Sequence, residues 1–112
     1  MKKYQIIYAD PPWSYTGSLQ KNSAASDHYQ TMSIGDICSL PISILADENC
    51  ALFVWVTMPK LKDAFPLIES WGFEYKTVAF TWVKTNKQTM GYFMGMGRWT
   101  RANPELCLLA TK

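Results

Sequence analysis

Apolar and polar residues alternate with two different periods along this chain of 112 residues. Four segments carry the short apolar or β-branched runs of strands: Tyr4–Ala9, residues 51–57, residues 75–83 and Glu105–Thr111. Residues 51–57 are apolar at almost every position, which is typical of a strand covered on both faces inside a parallel sheet. The pattern therefore indicates a sheet with an interior strand.

Helical spacing appears in two places between these runs. Ser33 followed by Asp36 resembles a capping box, and Pro41 is expected to end or restart the helix that begins there. In the second helix Gly72 stands at the expected C-terminus, and Pro66 predicts a kink or a late start. The apolar stripes that define the two helices are Ile34, Ile37 and Cys38, and then Leu61, Ala64, Phe65, Ile68 and Trp71.

The elements follow the order strand, loop, helix, strand, helix, strand, loop, strand. Strands that alternate with helices predict an α/β fold with a mostly parallel sheet and helices on both faces. The last strand has no helix before it, so we expect it to pair antiparallel with its predecessor. Residues 14–31 and 84–103 form connections longer than ordinary loops, which favours functional roles. We find no internal repeat and expect one domain over residues 1–112.

Composition adds a few limits. With 48% apolar and 18% charged residues the chain is globular, and a net charge of +2 is too small to indicate a nucleic-acid partner. It has neither an apolar stretch of membrane-spanning length nor a signal peptide, so a cytoplasmic location without membrane contact is expected. The widely spaced cysteines, with no histidine nearby, predict free thiols and no metal site: Cys38, Cys50 and Cys107.

The tetrapeptide Asp10-Pro11-Pro12-Trp13 directly follows the first strand, where open α/β sheets place their ligands. An exocyclic aromatic amine is a poor nucleophile because its lone pair is delocalised into the ring. A carboxylate and a proline-fixed carbonyl that accept its two N–H bonds aim that lone pair at an electrophile. An indole face adds base stacking, worth about 1–3 kcal/mol in nucleic-acid sites. The alternative is a strand that ends in a proline turn with a core tryptophan.

Residues 84–103 combine basic and aromatic side chains without any acidic residue. Such a mixture suits a flipped or single-stranded nucleotide, although a hairpin loop with solubilising charges is the alternative. The side chains concerned are Lys84, Lys87, Tyr92, Phe93, Arg98, Trp99 and Arg101.

Six blocks in this order resemble one family. They are DPPW at residues 10–13, HYQTM at 28–32, LFVWVT at 52–57, WGF at 71–73, WVKTN at 82–86 and ELCL at 105–108. The chain resembles the adenine-N6 methyltransferases named after the seventy-kilodalton subunit of the mRNA methyltransferase. That family also includes phage and bacterial DNA adenine methyltransferases.

The resemblance implies a partial Rossmann-like methyltransferase sheet and methyl transfer from S-adenosylmethionine to the amino group of adenine in nucleic acid, DNA rather than RNA. By resemblance, Asp10 and the Pro11 carbonyl orient the amine, and Asp10 also lies beside the amino-acid end of the cofactor. Pro12 and Trp13 shape the base pocket, and Lys84 faces the cofactor carboxylate or the nucleic acid. The residues expected to bind substrate are Trp13, Tyr29, Lys84, Asn86, Arg98 and Trp99.

Family members continue for a comparable length beyond the segment that corresponds to Lys112. We therefore expect residues 1–112 to be the catalytic N-terminal half of the domain, inactive in isolation, with Tyr4–Ala9 as an exposed sheet edge for a partner chain or a C-terminal segment. One alternative is a non-catalytic nucleic-acid-binding or partner subunit. Another is a protein glutamine methyltransferase, against which Asp10 and Trp13 count, because that chemistry usually has Asn and Tyr there.

Overall fold

A computed structural model describes residues 2–14, 30–85 and 103–112. In chain order its elements are β1 (Tyr4–Ala9), α1 (Ile34–Cys38), α2 (Ile42–Leu45), β2 (Ala46–Thr57), a 3-10 turn (Met58–Lys60), α3 (Leu61–Ser70), β3 (Glu74–Trp82) and β4 (Glu105–Thr111).

The four strands form one sheet in the order β1-β2-β4-β3. Strands β1 and β2 pair in parallel, whereas β4 lies antiparallel between β2 and β3. Three strands thus run in one direction and the last strand runs against them. This confirms the α/β class and the antiparallel pairing of the last two strands. The insertion of β4 between β2 and β3 was not predicted.

Strand β2 begins at Ala46, five residues before the apolar run that predicted it. The pairing with β1 is irregular there: Tyr4 lies opposite Ala46, and Ile6 already lies opposite Ala51. The residues of β2 within this irregularity are polar or small and lack strand-like alternation. Their extended conformation therefore depends on the neighbouring strand and not on their own pattern.

The first helical region follows the predicted punctuation. The Ser33 hydroxyl accepts the backbone N–H of Asp36 at 3.1 Å and caps the N-terminus of α1. Helix α1 ends at Cys38, and α2 starts at Ile42 directly after Pro41. Because proline has no N–H and disfavours helix in the residue before it, the chain restarts at this position.

Helix α3 runs through Pro66 and does not start late. It ends in a Schellman motif, in which the Phe73 N–H bonds to the Ile68 carbonyl at 3.0 Å and the Gly72 N–H to the Glu69 carbonyl at 2.9 Å. Gly72 has a φ of +87°, a left-handed conformation that is unstrained only for glycine. The predicted helix end is confirmed.

The helices pack on one face of the sheet. Trp71, at the end of α3, donates its indole N–H to the Ile37 carbonyl of α1 at 3.0 Å and so joins the two helices. Alternate residues of β2, one stripe of α3 and two residues of β4 meet in the core. These side chains are Cys50, Leu52, Val54, Val56, Ala64, Leu67, Ile68, Leu108 and Ala110.

The opposite face of the sheet carries an open aromatic face, formed by Tyr8, Phe53, Trp55, Phe80 and Trp82. The exposed fractions of Tyr8, Phe80 and Trp82 are 68%, 57% and 53%. Phe53 stacks on Phe80 with 6.1 Å between ring centroids, and Trp55 meets Trp82 edge to face at 6.5 Å. Helices were expected on both faces, but among the described residues they cover only one. The apolar pattern of β2 predicted a covering layer on each face, whereas on the open face Phe53 and Trp55 are half-buried beside the aromatic side chains of β3.

All three cysteines are free, as expected. Burial raises the pKa of the Cys50 and Cys107 thiols, and for Cys107 the nearby Asp10 carboxylate adds to the effect. In the part of the chain that the structure describes, no three potential metal ligands cluster, and no helix has the length and apolar character needed to cross a bilayer.

Candidate active site

The tetrapeptide after β1 forms a tight turn at the carboxyl end of the strand. The Pro11 carbonyl accepts the Trp13 backbone N–H at 2.9 Å, which closes a three-residue turn around Pro12. The Pro12 carbonyl accepts the Met32 N–H at 2.9 Å, so the turn is also tied to the segment before α1. Because a carbonyl oxygen has two lone pairs, the Pro11 oxygen keeps acceptor capacity in a fixed direction.

Trp13 is a core residue with only 5% of its surface exposed. Its indole N–H donates to the main-chain carbonyl of Trp55 in β2 at 3.0 Å. The sequence left two roles open for Trp13, a stacking surface and a core side chain. The structure gives it a core position, from which it also lines a cavity beside Asp10.

Two cavities meet at Asp10. The smaller one, of about 90 Å³, is lined by Asp10, Pro11, Trp13, Trp55, Val56, Thr57 and Glu105. The larger one, of about 530 Å³, opens on the aromatic face and is lined by Tyr8, Asp10, Trp55, Phe80, Thr81, Trp82 and Glu105.

The two volumes suit different groups. At roughly 30 Å³ per water molecule, the smaller cavity holds about three waters or an equivalent polar group, but not a whole purine. The larger cavity lies within the size range of ligand sites. Asp10, Trp55 and Glu105 border both, so the Asp10 carboxylate is accessible from the larger cavity.

The environment of Asp10 disfavours its charged form. Partial desolvation raises the pKa of the carboxyl group, and the negative charge of Glu105 raises the pKa further. Asp10 is nevertheless an exposed residue, so its carboxylate oxygens are open to a ligand. Asp10 is therefore placed to accept an N–H from a ligand.

Lys84 follows β3 and pairs with Glu105. Its Nζ lies 2.6 Å from the Glu105 Oε2 atom and 5.1 Å from the centroid of the Trp82 ring. Lys84 was expected to face a cofactor or nucleic acid, and in the structure it has this internal partner. An ammonium group has three N–H donors, so the ion pair leaves donors for a second acceptor.

Several residues that border the site were not predicted from sequence, above all Glu105. Its position could have been predicted, because Glu105 is the first residue of the antiparallel strand β4. The first residue of such a strand lies at the same edge of the sheet as the last residues of the strands beside it. Tyr8 and Trp55 had no comparable signal, because each sits within an apolar strand. The Trp55 indole N–H donates to the Tyr8 hydroxyl at 2.6 Å.

Four of the predicted substrate-binding residues lie outside the described part of the chain: Tyr29, Asn86, Arg98 and Trp99.

The chain is similar to several known proteins over most of its length. The chain is 37% identical over 128 aligned positions to the Type II methyltransferase M.MunI of Mycoplasma sp., and the match covers 99% of the chain and 52% of that protein. It is 30% identical over 111 positions to the human N(6)-adenosine-methyltransferase catalytic subunit METTL3, covering 98% of the chain and 17% of that protein.

A third relative is a non-catalytic subunit. The chain is 33% identical over 86 positions to the N6-adenosine-methyltransferase non-catalytic subunit MTB of Arabidopsis thaliana, covering 76% of the chain and 11% of that protein. The chain thus spans about half the length of M.MunI and smaller shares of the other two. The MT-A70 family model matches residues 4–112, and the chain belongs to the MT-A70 methyltransferase family.

Proposed function

We propose that this chain carries the catalytic half of an enzyme that transfers a methyl group from S-adenosylmethionine to the exocyclic amino group of adenine in nucleic acid. The observation that carries the proposal is the position of Asp10, at the carboxyl end of β1 and at the junction of two cavities. A carboxylate in this position is available to a ligand, whereas a structural carboxylate caps a helix or pairs with a cation.

The chemistry asked of the chain is orientation of an amine. Asp10 accepts one N–H of the adenine amino group, and the free lone pair of the Pro11 carbonyl accepts the other. Both acceptors draw the nitrogen toward a pyramidal geometry and direct its lone pair away from the ring. Because the turn around Pro12 is closed by a hydrogen bond, the carbonyl is oriented before the substrate arrives.

S-adenosylmethionine, when bound, supplies the electrophilic methyl group. Asp10 and Glu105 are the carboxylates that line the open cavity of about 530 Å³, and Asp10 is proposed to receive the cofactor's ammonium group because Glu105 is already paired with Lys84. Lys84 is proposed to add a donor to the cofactor carboxylate or to a phosphate while it keeps its bond to Glu105. Trp13 and Pro12 shape the wall of the base pocket.

We propose DNA rather than RNA as the nucleic acid. The support is a difference in identity. The chain is 37% identical to M.MunI, a bacterial Type II methyltransferase, and 30% identical to METTL3, a subunit whose name specifies adenosine. Tyr29, Asn86, Arg98 and Trp99 are proposed substrate contacts, on their chemical types and on the family resemblance.

Further polypeptide is proposed to complete the domain. Strand β1 is an edge of the sheet, Ile6 on it is 66% exposed, and the open aromatic face beside it is apolar. An exposed apolar edge strand invites pairing with another strand. The relative M.MunI has almost as much chain outside the matched region as within it, which is enough for additional strands and helices.

A binding experiment tests this completion. The M.MunI segment outside the matched region is mixed with this chain, and association is followed by sedimentation velocity. Ile6→Lys on the β1 edge is expected to weaken association at least tenfold, because a charge would be buried in the new pairing. Ile44→Lys, at a residue of α2 that is 51% exposed, is the matched control. Equal binding by the two variants would remove the β1 edge from the proposal.

A labelled-methyl assay tests the function itself. The chain is incubated with S-adenosylmethionine and adenine-containing DNA or RNA, alone and with the completing segment. We expect transfer only in the completed form, more on DNA than on RNA, and a loss of at least a hundredfold in Asp10→Asn. Asp63→Asn, which removes an equal charge on α3, should retain activity. Absence of transfer in the completed form, or full activity of Asp10→Asn, would contradict the proposal.

A second candidate is a non-catalytic subunit, which the match to MTB favours. This reading expects association with a partner and no methyl transfer in any combination. Calorimetric titration separates the two candidates: the catalytic half, once completed, releases or absorbs heat with S-adenosylmethionine, and a non-catalytic subunit does not.

A further inference from the structure

The β3–β4 ladder ends next to the site because a proline precedes β4. Its last pair is Trp82 opposite Glu105. The residue before Glu105 is Pro104, which has no backbone N–H and cannot extend the ladder as a donor. Lys84, two residues beyond Trp82, is therefore left without a regular strand partner across the sheet.

The side chain of Asn103 takes over that role. Its Oδ1 atom accepts the Lys84 backbone N–H at 2.7 Å, and its Nδ2 group donates to the Lys84 carbonyl at 2.9 Å. A carboxamide has the same donor and acceptor as a peptide group, so it pairs with Lys84 as a neighbouring strand would. Asn103 is only 8% exposed, and both hydrogen bonds are partly buried.

We propose that Asn103 is a positioning residue of the active site: its carboxamide extends the β3–β4 ladder by one step and thereby holds the Lys84 ammonium group on Glu105, which lines both cavities together with Asp10. The inference rests on the proposed function, since it assigns Asn103 a part in the same site. Because Asn103 holds both the backbone N–H and the carbonyl of Lys84, the Lys84 side chain keeps its 2.6 Å contact with Glu105.

The pairing matters because of the charges around Asp10. From β4, Glu105 and the Cys107 thiol face the Asp10 carboxyl group, and Tyr8 lines the same cavity from β1. Among these groups Glu105 carries the negative charge, and Lys84 is the cation that offsets it. Without Lys84 on it, Glu105 is uncompensated, and we expect its charge, which already raises the pKa of Asp10, to raise that pKa further and to weaken Asp10 as an acceptor at a given pH.

Carbon-detected NMR titration of the Asp10 carboxyl group in the 112-residue chain tests the proposal without any need for activity. Asn103→Ala is expected to shift the titration of Asp10 to higher pH. Asn49→Ala, which removes an exposed asparagine of β2, is the control and should leave it unchanged. Asn103→Ser, too short to reach both Lys84 groups, gives the same result where the alanine variant does not fold.

A double-mutant comparison separates positioning from simple loss of structure. Lys84→Gln removes the cation but keeps the main-chain groups that Asn103 binds, so it should shift Asp10 in the same direction. In the Lys84→Gln background, Asn103→Ala is expected to add no further shift, because Asn103 acts through Lys84. The Lys84 backbone amide should exchange with solvent about tenfold faster in Asn103→Ala than in the parent chain, since it loses a buried acceptor.

Two results would overturn the inference: an unchanged Asp10 titration in both Asn103 variants, or an equal shift on replacing Asn103 whether Lys84 is present or not. Neither depends on methyl transfer. Failure of the labelled-methyl assay would remove the proposed function, but the effect of Asn103 on Lys84 and Asp10 could still be measured. Failure of the titration would remove only the positioning role of Asn103.

Discussion

The indole N–H of Trp13 donates to the main-chain carbonyl of Trp55 at 3.0 Å, which ties the turn after β1 to the carboxyl-terminal end of β2. Trp13 thereby belongs both to the core and to the wall of the smaller cavity. The position of the turn relative to the sheet depends on a contact between residues 42 apart in sequence. The same hydrogen bond therefore contributes to folding and to the shape of the site.

Trp13→Phe should cost about 1–2 kcal/mol in the free energy of unfolding, because the phenyl ring preserves most of the packing but leaves a carbonyl without its donor. Chemical denaturation measures the difference. Trp82→Phe, at a position that is 53% exposed, is the matched control and should change stability by roughly 0.5 kcal/mol or less. Similar losses in the two variants would show that the Trp13 hydrogen bond contributes nothing.

Asp10→Asn should stabilise the fold, and the gain should grow with pH. The pKa of Asp10 is raised in the folded state by desolvation and by Glu105, so the folded chain binds the proton more tightly than the unfolded chain. Its contribution to stability is fully present below the unfolded pKa, near 4, and is lost as the pH rises through the raised value. The side chain of the Asp10→Asn variant stays neutral at every pH, so that variant does not lose stability in this range.

Denaturation of both chains between about pH 3 and pH 8 checks this dependence. Asp63→Asn on the surface of α3 controls for the general effect of removing a negative charge. A stability difference for Asp10→Asn that is constant over this range, or that grows toward acid pH, would contradict the assigned direction.

Two glycines predict opposite effects of the same substitution. Gly72→Ala should destabilise the chain by about 1–2 kcal/mol, because a Cβ at a φ of +87° is strained even where space is available. Gly35→Ala, inside α1, should stabilise by roughly 0.5–1 kcal/mol, since the nearest atom to a new Cβ is 4.0 Å away and alanine is the better helix former. Thermal denaturation of the pair measures both, and an equal sign for the two changes would be inconsistent with this account.

The open aromatic face should make the isolated chain prone to self-association. Phe80→Thr removes one of its large exposed side chains and keeps a residue that favours strands, so light scattering should show less association at equal concentration. Phe65→Thr, at a residue of α3 that is 38% exposed and packs edge to face on Tyr75, tests a ring on the helical side of the molecule. Association that falls equally in both variants would argue against a specific role for the aromatic face.

Much of the local structure followed from sequence alone. The four strands, the cap at Ser33, the restart at Pro41 and the helix end at Gly72 all depend on spacing or on single residues with restricted backbone behaviour. The placement of Asp10 at the end of β1 was also predictable, because a tetrapeptide with two prolines must terminate a strand.

The irregular start of β2 and the continuation of α3 through Pro66 were not predictable from local pattern. In the first case a polar stretch is held extended by pairing with β1. In the second, the packed stripe of α3 outweighs the loss of one helical hydrogen bond. Tertiary contacts override local preference in both cases.

The sequence by itself determined which segments are strands and helices, which residue types follow β1, and hence that a carboxylate would stand at the edge of an α/β sheet. Tertiary structure decided that β4 inserts next to β2, that Lys84 pairs with Glu105 at the edge of the cavities that Asp10 lines, and that one face of the sheet stays aromatic and open. The physical reason is range. Periodicity and backbone restrictions act over a few residues, whereas strand order and the meeting of charges depend on contacts between segments far apart in the chain.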